Sequence, residues 1–279
     1  MLLDARSLSK ARKSSSIKVG AVITVAFVLS ALCAPWITRQ DPIAQQLSQA
    51  LKPPSAAHVL GTDEFGRDLL SRMLFGARVS IAVGLIAVGI ATVLGTASGS
   101  VAGYYGGMWD SLILRLVDML LAFPGILLAL AIVAMLGPNL VNTMIAVGIS
   151  STPYYTRVTR SVVLESKERE KVAAARALGA TDARIVVRHV VPDVVPAVLV
   201  VATLGLGWAI LTAAGLSFLG LGAQPPTPEW GAIMASGRIY MSQAWWLSTF
   251  PGLAIMLLVL GVNLLGDGLR DVLDPRIGR

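Results

Sequence analysis

The chain has 279 residues, 55% of them hydrophobic and only 14% charged, with mean hydropathy +0.72 and a formal net charge of +7. A globular domain carries about 25% charged residues, and here the apolar residues gather in long tracts free of Asp, Glu, Lys and Arg, which excludes both a soluble enzyme and a disordered chain. The basic excess sits at the edges of those tracts and so points to membrane orientation rather than to nucleic acid.

A helix needs about 20 apolar residues to cross the hydrocarbon core. Uncharged tracts run over 19–38, 79–109, 119–156, 194–228 and 239–266. Gly137-Pro138-Asn139 supplies turn chemistry inside the third, which divides it into two. The pattern predicts an all-α polytopic membrane protein with six spans, near 17–37, 79–102, 111–136, 140–160, 193–222 and 246–267. The first span has a basic flank (Arg6, Lys10, Arg12, Lys13, Lys18) but exceeds the 7–15 apolar residues of a signal peptide, so it is read as retained. The predicted organisation is an inner tail 1–18, a first helix 19–38, an outer segment 39–78, a core 79–267 with an inner loop 161–192, and an inner tail 268–279. With the N-terminus inside, the inner segments hold 16 Lys and Arg and the outer ones six. That bias puts both termini in the cytoplasm. Cys33, the one cysteine, reads as a small apolar filler, and with two histidines (His58, His189) there is no residue set for a metal centre.

Along the chain, Asp63, Glu64, Arg67, Asp68 and Arg72 form a glycine-flanked, mixed-charge outer segment. Two readings stand: a local salt-bridge network, or a docking surface for an extracytoplasmic protein. Gly95, Gly99 and Gly103 repeat at four-residue spacing, which lets helix backbones approach closely, within the chain or against a second subunit. Asp110, Arg115, Asp118, Asp193 and Asp267 fall near span ends, and Arg115 with Asp118 at i,i+3 are expected to pair. No charge is expected at a span centre, which argues against an ion-coupled carrier. Thr159–Leu178 reads as a helix, with Glu170 on its solvated face. Ala173, Ala174 and Ala175 then give a narrow small-residue ridge beside Arg176. Gly179 supplies a C-cap of positive φ, Thr181 or Asp182 caps a second short helix through His189, and Pro192 suits the first turn of the next span. This inner segment is either a knob that transmits force to a soluble partner or an amphipathic helix on the membrane surface. Trp230, Trp245 and Trp246 fit an interfacial belt. There is no phosphate-cradling G-x-x-x-x-G-K-[ST] loop, so any ATP-driven step has its nucleotide site on another chain.

The inner segment resembles the EAA loop of ABC importer permeases: Ala174, Ala175, Gly179 and Pro192 match its pattern, while Ala173, His189 and Val191 stand at its Glu, Ile and Leu positions. Three further stretches resemble the dipeptide/oligopeptide/nickel permeases of the C-subunit type. They are Gly61–Arg72 with Gly76, Arg78 and Ser80; Leu216–Gly222 running into Gln224–Gly231; and Asp267–Asp271 with Asp274-Pro275-Arg276. The resemblance implies the type I importer permease architecture in a bacterial cytoplasmic membrane and a non-catalytic role in moving peptides, nickel chelates or glutathione-like solutes. It implies a second homologous permease, two ABC ATPases carrying ATP and Mg, an extracytoplasmic binding protein and membrane lipids as partners, and no cofactor on this chain. A stand-alone channel or carrier and a non-transporting scaffold are the competing classes.

Overall fold

The computed structural model describes residues 15–38 and 40–273, which are helical throughout except for connecting loops; no strand occurs among them. The helices are α1 (Ser15–Ile37), α2 (Leu69–Tyr105), α3 (Gly107–Leu121), α4 (Gly125–Leu136), α5 (Leu140–Lys167), α6 (Glu170–Ala177), α7 (Asp182–Ile185), α8 (Val191–Phe218), α9 (Trp230–Gly237) and α10 (Trp246–Leu273). Most of the basic tail of 1–18 and the Asp274-Pro275-Arg276 stretch lie outside the described residues.

Among the described residues, four helical stretches are long and apolar enough to cross a membrane: Ser15–Ile37, Leu69–Tyr105, Asp182–Phe218 and Trp246–Val272. The predicted span 111–136 is instead a bent pair, α3 and α4, set at 92° to each other. Pro124 is the cause: it donates no N–H, and it pushes Phe123 out of the helical region. The predicted span 140–160 is one continuous 28-residue helix, α5, about 42 Å long at 1.5 Å per residue. It carries Arg157 and Arg160 and runs on to Lys167, seven residues past the predicted end of the span. Span two starts ten residues before the expected 79, because the Asp68 carboxylate caps α2 by accepting from the Ser71 N–H at 2.9 Å.

The small-residue stripe of α2 packs within the chain. A Cβ on Gly99 would lie 2.5 Å from the Thr156 carbonyl oxygen and 2.7 Å from the Thr159 Cβ, and one on Gly103 would lie 2.9 Å from the Val163 Cβ. Gly95 faces Tyr155 in the same way. These contacts seat α2 along α5, the most extensive helix pair in the molecule. Above it, α8 packs on both, with Ile210 against Gly84. Then α10 packs on α8, where Gly207 admits the Asn263 side chain, and α1 lies on α10, with Gly20 facing Gly261.

These contacts sort the helix ends into two sets. At one end the start of α1 meets the end of α10, where Ile17 faces Gly268. The end of α2 joins them there, touching the residues between α5 and α8 through Tyr104 and Asp182. At the other end lie Asp68, Trp230 and Trp246, tied to each other's loops. Trp230 is 1% exposed and donates its indole N–H to the Met73 carbonyl at 2.9 Å, and buried Trp246 donates to the Thr62 carbonyl at 3.1 Å. Neither is the interfacial anchor expected of it; of the three tryptophans only Trp245 is exposed. The Arg115–Asp118 pair does not form either. Asp118 accepts from Arg157 at 2.6 Å, and Asp110 accepts from Arg160 Nε and Nη2, at 2.5 and 2.7 Å. A carboxylate on α3 reaches an arginine on α5 more directly than it reaches along its own helix.

Candidate functional site: a helical knob between α5 and α8

The knob begins where α5 stops. Glu168 and Arg169 break the expected single helix 159–178, and α6 starts again at Glu170. Gly179 takes φ +79°, and the Ala180 N–H returns to the Ala175 carbonyl at 3.1 Å, which closes a Schellman-type turn. The Thr181 hydroxyl then caps α7, accepting from the Arg184 N–H at 3.4 Å. The second short helix does not end at His189. It runs through a π-helical turn at Val186–Val190 into α8, with Pro192 in that helix's first turn. The knob is thus joined to α8 without a flexible linker.

Amphipathic spacing decides which side chains face out. Val172 and Ala175 point inward with Ile185, Val190, Val194 and Val198, against Tyr104 of α2 and Val163 of α5. Ala173, Ala174, Arg176, Ala177 and Gly179 are exposed, as are Glu170 and Asp182, while His189 is half-buried. The outer ridge is therefore Ala173, Ala174 and Ala177, not the run Ala173–Ala175. At its tip Leu178 is 88% exposed. Sequence reading missed it because an apolar residue before a C-cap glycine usually turns inward.

Two polar clamps fix the knob to the bundle. In one, the Tyr104 hydroxyl at the end of α2 donates to Asp182 Oδ1 at 2.7 Å. The same hydroxyl, beside Arg176, raises that guanidinium's pKa. In the other, Asp193 at the start of α8 collects three donors. Its Oδ2 accepts from Ser166 Oγ at 2.6 Å and Arg169 Nη1 at 3.2 Å, and its Oδ1 accepts from Lys171 Nζ at 2.7 Å. Arg169 also donates to Glu165 at 2.8 Å, an interaction that raises its own pKa. One carboxylate thereby joins the end of α5, the start of α6 and the start of α8. Charge-assisted bonds of this kind are the stronger class. The outer ridge of the knob is short apolar side chains on a braced frame, flanked by exposed Glu170, Arg176 and Asp182.

At the opposite end, the charged segment 61–72 turns inward. Asp63 is 1% exposed; its Oδ1 accepts from the Phe65 and Arg67 N–H groups, both at 2.9 Å, and its Oδ2 from Arg67 Nε at 2.6 Å. Arg72 Nε lies 3.3 Å from the same Oδ2, and Arg72 Nη1 donates to the Pro42 carbonyl at 3.0 Å. His58 Nδ1 meets Asp68 Oδ1 at 3.0 Å. Glu64 is half-buried and 3.6 Å from Arg67. Across from this network, Glu229 caps α9 and accepts from Ser80 Oγ at 3.1 Å.

The family described as binding-protein-dependent transport system inner membrane component matches residues 93–279, which take in the whole knob. The chain belongs to that family. Among relatives of this permease, the dipeptide transport system permease protein DppC of Alkalihalophilus pseudofirmus is 48% identical over 95% of this chain and 88% of its own. The di/tripeptide transport system permease protein DppC of Pseudomonas aeruginosa is 48% identical, covering 92% of this chain and 87% of its own. The glutathione transport system permease protein GsiD of Escherichia coli is 46% identical, over 95% and 88%. In fold, the permease resembles a chain of the MetNI methionine ABC transporter solved in inward-facing conformations. The TM-score is 0.58 at 19% identity, with 72% of this chain and 95% of that one covered.

Proposed function

We propose that the chain is one of two membrane subunits of an ATP-driven ABC importer of type I architecture that moves short peptides across a bacterial cytoplasmic membrane. It crosses that membrane six times, the bent α3–α4 pair counting as one crossing, with both termini and the knob in the cytoplasm. Two partner ATPases supply ATP and Mg, and an extracytoplasmic binding protein delivers the solute. The observation that carries this reading is the knob: an exposed Ala173–Ala174–Ala177–Leu178 surface on a helix braced to three long helices at once. A ridge of that shape fits a groove on a soluble partner, and its rigid attachment to α8 turns a movement of the partner into a movement of the span. The buried charges from Asp63 to Arg72 hold the outer frame on which the binding protein rests, with exposed Phe65 at its rim.

Replacing Gly179 by Trp tests the coupling. Its Cβ direction is open, with nothing within 4 Å, so the bundle is undisturbed; what changes is the backbone turn and the surface offered to the partner. The expected result is an assembled complex that hydrolyses ATP while peptide uptake falls at least tenfold. Uptake at the unmodified rate would rule out docking at this turn. Uptake of peptide by the purified chain without ATPases would rule out the importer assignment altogether.

A further inference from the structure

The exposed faces of the long helices differ in chemistry. Towards the outside, α2 presents Leu85, Ile86, Val93 and Leu94, and α10 presents Leu253, Met256, Leu257 and Leu260, as a lipid contact demands. On α5, beyond exposed Val141 at its start, the outward residues are half-buried Ser150 and exposed Tyr154, Arg157, Ser161 and Glu165. Their spacing of four, three, four and four residues puts them on a single face. Every one is polar, and Arg157 with its partner Asp118 is more than half exposed, 54% and 61% for the two side chains. The stripe runs from near the middle to the end of a helix about 42 Å long, and Tyr154, Arg157 and Asp118 fall inside the predicted spans 140–160 and 111–136. An exposed ion pair within a span is not stable against hydrocarbon and faces a water-filled space. Beside the stripe, Tyr154 and Ser150 line a cavity of about 290 Å³ with Trp208 and Gly205 of α8. Tyr154 continues into a second cavity, of about 430 Å³, that reaches Asp193 and Arg270.

We propose that this stripe of α5 lines the aqueous path of the solute, and that the Arg157–Asp118 pair reads the ionised ends of a passing peptide. The second half rests on the peptide reading above. Short peptides differ in their side chains but share a carboxylate and an ammonium group. An exposed arginine and aspartate 2.6 Å apart offer both complements. The flat rings of Tyr154 and Trp208 take side chains without selecting among them.

The test uses the whole importer, both permeases with ATPases and binding protein, in proteoliposomes. In a Cys33→Ser background, Ser150→Cys and Ser161→Cys are labelled with a cationic, water-soluble thiosulfonate, with lipid-facing Val93→Cys as the reference. The expected result is labelling at least tenfold faster at 150 and 161. Rates at or below that of position 93 overturn the path, whether lipid or the second permease covers the stripe. For the pair, uptake of alanyl-alanine is compared with uptake of its C-terminal amide. Arg157→Gln is expected to lower dipeptide uptake at least tenfold, with ATP turnover retained, and to bring the acid-to-amide uptake ratio down towards one; Arg157→Lys keeps most of that ratio. A merely structural ion pair slows both solutes equally, so an unchanged ratio overturns the reading role. If the unmodified importer moves no peptide at all, the substrate assignment fails, while the labelling still decides the path.

Discussion

Gly99 shows how little room the α2–α5 seam leaves. A methyl group there would press on backbone, the Thr156 carbonyl oxygen at 2.5 Å, and not on a side chain able to swing aside. Gly99→Leu therefore separates the two helices and costs about 3 kcal/mol, the upper end for overpacking. The expected result is a clear drop in the melting temperature of the detergent-solubilised protein, against little change for Gly89→Leu, whose Cβ direction is open. Asp63 is a second position where a single group decides. Removing its carboxylate leaves the buried Arg72 guanidinium without its carboxylate partner and Arg67 with only Glu64 at 3.6 Å, a loss of about 3–5 kcal/mol when one partner of a buried pair is deleted. Asp63→Ala should thus lower the yield of folded protein sharply. Asp118→Ala, whose partner is exposed, should leave that yield near the unmodified level, since exposed pairs contribute about 0–1 kcal/mol.

At the scale of elements, the knob acts as one body only while its clamps hold. Asp193→Asn removes the charge that Ser166, Arg169 and Lys171 share, and Tyr104→Phe removes the donor to Asp182. Arg169 and Lys171 are nearly half exposed, so water screens them, and each change costs only about 1–2 kcal/mol of stability. The larger effect falls on coupling: peptide taken up per ATP hydrolysed should fall several-fold in either variant, and further in the double variant. Near-normal coupling in the double variant would show that the apolar contacts under Val172 and Ile185 suffice. Much of this element was legible in the sequence. Alanine spacing and a lone glycine announced a helix, a cap and a small-residue ridge, and the four-residue glycine repeat announced a close helix seam. Other features were not legible, because they depend on neighbours. Ala175 turns inward only because α2 and α5 lie beneath it. Trp230 is core only because Met73 on α2 presents a carbonyl within reach of the indole N–H. Asp118 chose Arg157 over Arg115 because α3 folds back across α5. Pro124 was in plain view, but the sharp bend it imposes needs the short length of α4 to be appreciated.

For the molecule as a whole, the decisive property is sidedness. Packing contacts alone place the starts of α1 and α8 and the ends of α2, α5 and α10 together, and place the segment 61–72, α9 and the start of α10 at the opposite end. The chain therefore alternates direction from one long helix to the next, with α3 and α4 together making one return. The sequence assigns 16 lysines and arginines to the segments on the knob's side and six to those on the other, a bias expected to turn the knob end towards the cytoplasm. Two exposed positions report on this directly: Leu178 at the tip of the knob and Val59 in the opposite segment. In a Cys33→Ser background, an impermeant maleimide should label Val59→Cys in intact spheroplasts and Leu178→Cys only in inverted vesicles. Labelling of both from one side would break the alternation of the helices. Labelling of each from the wrong side would keep the fold, reverse its orientation, and leave the knob where no ATPase can reach it.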